Sequence, residues 1–119
     1  MAETRTSEGA AVPGEVLTVL CTCPDADTAR RLAAGLVEAR LAACVNILPG
    51  IRSIYRWQGA TCDDGEVLMI AKTTALAFAG LERWLQANHP YDVPEVLALP
   101  VAAGSRAYLD WVASEITSE

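Results

Sequence analysis

The chain contains a single histidine, a single lysine and a single phenylalanine among 119 residues, and each scarcity narrows what it can do. One imidazole, His89, cannot build a histidine-rich zinc site, so any imidazole ligand or pH response near neutrality rests on that residue alone. Nine basic residues against fifteen acidic ones give a net charge of −6. That is the wrong sign for neutralising phosphates, so nucleic acid is not an expected partner. Long hydrophobic runs are also missing: those present, such as Val16 to Cys21 with Thr18 inside, are far below the roughly 18 residues that cross a bilayer. The opening MAETRTSEGAAVPGE has acidic Glu3 and Glu8 and no apolar core of about 7 to 15 residues, so it does not read as a secretory signal. A cytoplasmic address with no membrane association is the expectation. Neither G-x-G-x-x-G nor G-x-x-x-x-G-K-S/T occurs, which leaves nucleotide chemistry without a phosphate cradle.

What is present is a chain that folds. A hydrophobic fraction of 52% is too high for a disordered protein, and 119 residues suit one domain. Residues 1–14 are small and polar, punctuated by Pro13 and Gly14, and read as a flexible tail; the single domain is expected over 15–119. Val16 to Cys21 reads as a buried strand stopped by Pro24. Asp25 or Asp27 can cap a helix running to about Leu41, with Ala29, Leu32, Ala33 and Leu36 on one stripe. Cys44 to Leu48 and Ile51 to Trp57 read as strand on either side of a bulge or bend at Pro49-Gly50. Gly59 to Gly65, with Asp63-Asp64 inside, supplies turn residues before a returning strand over Glu66 to Thr73. Thr74 can cap a second helix that ends before Pro90; Glu95 to Val101 reads as a fourth strand, and Ser105 to about Ser118 as a closing helix.

The order β-α-β-β-α-β plus a terminal helix predicts an α+β, ferredoxin-like sandwich with helices on one face of a four-stranded sheet. Strands this apolar need cover on the other face as well, and a hairpin longer than the sheet leaves edges unpaired, so self-association is expected.

Leu20-Cys21-Thr22, Ala43 to Gly50, Ser53 to Gly59, Lys72-Thr73 and His89-Pro90-Tyr91-Asp92-Val93-Pro94-Glu95 together resemble the CutA family of divalent-cation tolerance proteins, over about Val16 to Trp111. The resemblance implies a ferredoxin-like subunit, a homotrimer sharing sheet edges, tolerance to copper and other divalent cations, and no established enzymatic reaction. It also implies metal ligands at Cys21 and His89 with Glu95 as a further contact, holding one copper ion per subunit. Some relatives carry two adjacent histidines where this chain has Asn88-His89.

The residues themselves keep several readings open. Cys21 and Cys23 are two apart on a strand and so share a face, where two soft sulfurs can hold copper(I) or zinc, or simply fill the core. His89 is either a ligand or a loop imidazole that donates to a backbone carbonyl and fixes the turn before Pro90. Cys44 reads as core and Cys62 as an exposed thiol. Lys72 ends an apolar strand, where an ion pair with a carboxylate such as Glu95, or a place at a subunit boundary, is favoured over anion binding. Tyr55 and Trp57 alternate along the long strand as interface residues or candidate ligand contacts, and Trp84 and Trp111 fall in core patterns. The second functional reading is a regulatory or scaffolding trimer that binds a small molecule or partner protein in clefts between subunits, resembling PII-like signalling trimers.

Overall fold

A computed structural model describes residues 15–116; the tail expected over residues 1–14 lies outside the described residues. Strand β1 (Val16–Cys23) alternates in burial, then joins helix α1 (Ala26–Glu38), whose Asp25 cap accepts the Thr28 N–H at 2.8 Å. A long hairpin follows, β2 (Cys44–Trp57) and β3 (Ala60–Thr74), then helix α2 (Phe78–Asn88), strand β4 (Leu97–Pro100) and helix α3 (Arg106–Glu115). The strands form one antiparallel sheet in the order β2-β3-β1-β4. No helix among the described residues is long and apolar enough to cross a membrane.

Alternation decides what each face does. Val19, Cys21 and Cys23 of β1 and Val67, Met69 and Ala71 of β3 pack against Ala29, Leu32 and Leu36 of α1 and Leu81 and Leu85 of α2. The helices meet closely at Gly35, where a Cβ would come within 2.4 Å of the Trp84 ring, so only glycine lets that indole approach α1 so closely. Leu32 is fully enclosed, and Leu32→Ala is expected to lower unfolding stability by about 3 kcal/mol in a denaturant titration, from lost burial plus the cavity left behind.

The opposite face carries Leu20, which pairs with Ile70 on one side and Leu97 on the other, and Leu48, which pairs with Leu68. Helix α3 covers only its end, where Val112 and Ile116 pack on Ala43, Ala77 and Val16. Leu48, Leu97 and Leu99 remain about half exposed.

Several boundaries differ from the sequence expectation. The hairpin turns at Gln58-Gly59, both with positive φ (52° and 84°), in the two-residue form whose twist matches the strands. Asp63 and Asp64 therefore belong to β3, where they meet Arg52 and Tyr55 across the hairpin rather than forming the turn. Helix α1 stops at Glu38 because Arg40 takes a positive φ of 60°. Thr74 precedes α2 by a turn: its hydroxyl accepts the Ala77 N–H, while the helix itself starts at Phe78 without a side-chain cap. Pro49-Gly50 does mark a bulge, since the register shifts between Leu48 and Ile51. Trp84 packs on the core, but Trp111 is 42% exposed, its ring tilted against that of Tyr108 at 5.6 Å instead of buried.

Candidate metal site and adjoining cleft

Residues 21 and 23 project from the helix-covered face of β1, and the chain leaving α2 returns His89 to the same place. Cys21, Cys23 and His89 are all buried, with one donor atom from each lying within 4.8 Å of the others. Metal–sulfur bonds of about 2.3 Å set three donors around one ion closer together than this, so binding draws the three side chains inward. Two thiols and an imidazole form a soft set suited to copper(I) or zinc.

Local forces already organise the three groups. Cys21 Sγ donates to the Thr22 carbonyl at 3.8 Å, and interaction with the neighbouring Cys23 thiol, then burial, holds the Cys21 thiol far above the ordinary cysteine range. The same interaction pulls Cys23 below its ordinary value, against the opposing effect of burial. His89 has both ring nitrogens engaged. Nδ1 accepts the Tyr91 backbone N–H at 3.1 Å, so the ring proton sits on Nε2 and is donated to the Thr22 carbonyl at 2.8 Å. In this arrangement the imidazole ties the loop to β1, and to serve as a ligand it has to release one of those bonds. Asn88, beside it, is exposed and donates to the Trp84 carbonyl at 2.8 Å, closing α2.

Beyond the thiols, where the hairpin outruns β1, a cleft of about 620 Å³ opens between β2, β3 and the loop after α2. Thr22, Tyr55, Trp57, Glu66, Tyr91 and Glu95 are among its lining residues. The Tyr91 hydroxyl donates to Glu66 at 2.5 Å; desolvation and that bond raise the phenol well above its ordinary value. Tyr55 donates to Asp64 at 2.6 Å, and the bond pushes its phenol up to about 12. Asp64→Asn is expected to return Tyr55 ionisation toward the ordinary value of about 10, seen as an earlier phenolate step in an ultraviolet pH titration.

The structure therefore joins Cys21 and His89, adds Cys23, and leaves Glu95 exposed in the cleft rather than among the gathered donors. Lys72 does not pair with Glu95. It lies on the far face of β3, and its ammonium donates to Asn46 Oδ1 on the neighbouring strand. Cys44 and Cys62 are partly buried, and Cys44 faces Tyr108, whose phenol is raised by burial first and by Cys44 next. Sequence reasoning did not single out Glu66, the first residue of the expected returning strand; the loop after α2, distant in sequence, brings the Tyr91 hydroxyl onto its carboxylate.

The family model described as "CutA1 divalent ion tolerance protein" matches residues 17–115. The chain belongs to the CutA1 family. Its sequence is 56% identical over 94 residues to the "Divalent-cation tolerance protein CutA" of Thermus thermophilus, covering 79% of this chain and 91% of that one. It is 48% identical over 101 residues to the human "Protein CutA", covering 85% of this chain but only 56% of the human protein. Among the mammalian relatives, then, the chain spans little more than half their length. The solved T. thermophilus CutA1 structure superposes with a TM-score of 0.84 at 52% identity, covering 86% of this chain and 99% of that one. The expected α+β fold of three helices on a four-stranded antiparallel sheet is thereby that of CutA1 proteins.

Proposed function

We propose that this CutA chain contributes to divalent-cation tolerance by binding copper directly, as copper(I), between Cys21 and Cys23, with His89 as the third donor and Glu95 standing outside the donor set. The convergence of two buried thiols and the only imidazole carries the reading. It takes copper as cargo, so binding and release suffice and no reaction is assigned. All four cysteines are free thiols, in keeping with a reducing, cytoplasmic setting. The half-exposed leucines of the far face and the projecting hairpin support assembly into the homotrimer expected from the sequence, with Tyr55 and Trp57 near the subunit boundary.

A competitive copper(I) titration of the reduced protein tests the site. About one ion per subunit is expected. Because Cys21 is held protonated far above its usual range, copper must displace its proton, so apparent affinity is expected to rise by about tenfold per pH unit for each proton displaced. A flat pH profile, or binding no tighter than to a free thiol, overturns the assignment.

A second reading, a regulatory trimer with a small-molecule ligand, is favoured by the separate cleft of about 620 Å³, which is within the size range of ligand pockets.

A further inference from the structure

The cleft has a lining that the copper reading leaves unused. Glu66, Asp92 and Glu95 bring three carboxylates to it, Tyr55, Trp57 and Tyr91 bring three aromatic rings, and the subunit's own lining includes no lysine, arginine or histidine. Glu66 is only 9% exposed, and its carboxylate has a neutral phenol for a partner. The arginine ion pairs among the described residues lie elsewhere, at Asp27 and Asp63 on the surface. An enclosed carboxylate without an ion pair is costly, and a cationic ligand relieves that cost.

A bare metal ion does not answer the need. Among the described residues, the one group of histidine, cysteine and acidic side chains close enough to share an ion is Cys21, Cys23 and His89. The three cleft carboxylates form no such group, and Tyr55, Trp57 and Tyr91 line the cleft with them. Ring faces attract ammonium and N-alkyl groups and bury methylene chains, whereas they offer nothing to a hydrated divalent ion. Both cleft tyrosines have their hydroxyls turned to carboxylates, at Asp64 and Glu66, which leaves the ring faces as their available surface.

We propose that this cleft binds a flexible organic polycation, an alkyl chain carrying two or more ammonium groups, with its charges on Glu66, Asp92 and Glu95 and its methylenes along Trp57 and Tyr55. The proposal rests on the small-molecule reading above and names the ligand class for it. It is independent of copper at the thiols, which occupies different side chains.

Spermidine is the probe, titrated calorimetrically into the assembled wild-type protein at physiological ionic strength. Saturable binding is expected, weakened at least about tenfold by Glu66→Gln and by Trp57→Leu, and not displaced by magnesium at matched ionic strength. Asp92→Asn and Glu95→Gln change exposed positions and show the same direction of effect, with folding and assembly of every variant checked by circular dichroism and light scattering. Spermidine binding that ignores Glu66→Gln and Asp92→Asn alike, or that magnesium abolishes, overturns the proposal as diffuse attraction to an acidic surface. An ATP arm separates the two levels. If ATP raises the melting temperature and spermidine does not, the cleft is a small-molecule site and the polycation assignment falls; if neither binds, both fall.

Discussion

A protein carrying serine at both Cys21 and Cys23 is expected to bind copper(I) at least about a thousandfold more weakly than the wild-type chain, a difference of about 4 kcal/mol. Serine keeps a similar size and a hydrogen-bond donor at each position but replaces soft thiolate donors with hydroxyls that copper(I) does not favour. His89→Ala is expected to cost less, because the imidazole first has to give up its bond to the Thr22 carbonyl or to the Tyr91 N–H. Cys44→Ser and Cys62→Ser serve as controls, since neither thiol belongs to the buried group. Equal copper affinity in the double serine variant and the wild type would sink the assignment. The three residues would then be architecture: two core thiols and a histidine that fastens a loop.

Aspartate at both Leu97 and Leu99 is expected to dissolve the proposed trimer. Both side chains lie on the sheet face away from α1 and α2, since Leu97 pairs with Leu20 and Leu99 with Thr18 across β1. They are 56% and 49% exposed in the isolated subunit, so the charges cost little there, but they would be buried without partners between copies. Light scattering is expected to give three subunits for the wild type and one for the variant, with the circular dichroism spectrum retained. A variant that still assembles, or a wild type that is monomeric at micromolar concentration, removes the far face from the interface.

Much of this architecture was legible in the residues, for identifiable reasons. The Asp25 cap, the stripe of Ala29, Leu32 and Leu36, and the bulge at Pro49-Gly50 depend on neighbours close in sequence, and each appears where local chemistry put it. The turn was misplaced because Asp63-Asp64 is turn-like by composition, whereas cross-strand partners Arg52 and Tyr55, distant in sequence, hold both acids in a strand. Lys72 meets Asn46 rather than Glu95 for a related reason. Charge complementarity pointed to a carboxylate, but strand register put the Asn46 amide within reach. In the metal group, spacing alone placed Cys21 and Cys23 on one face, and the family resemblance brought in His89. What no local pattern could reveal is that the loop after α2 feeds both the thiol site, through His89, and the cleft, through Tyr91.

The doubly held imidazole has a practical side. His89 is the only histidine, so its two ring nitrogens give a nuclear magnetic resonance signature free of overlap from any other imidazole. With Nε2 protonated against Thr22 and Nδ1 bare toward Tyr91, those two signals differ widely in shift, and only one shows a directly attached proton. An ion entering between the thiols, or a ligand that drags Tyr91 along the cleft, has to disturb one nitrogen or the other. A single isotopically labelled residue thus reads two neighbouring events on separate channels, without a dye, a tag or a change to the chain.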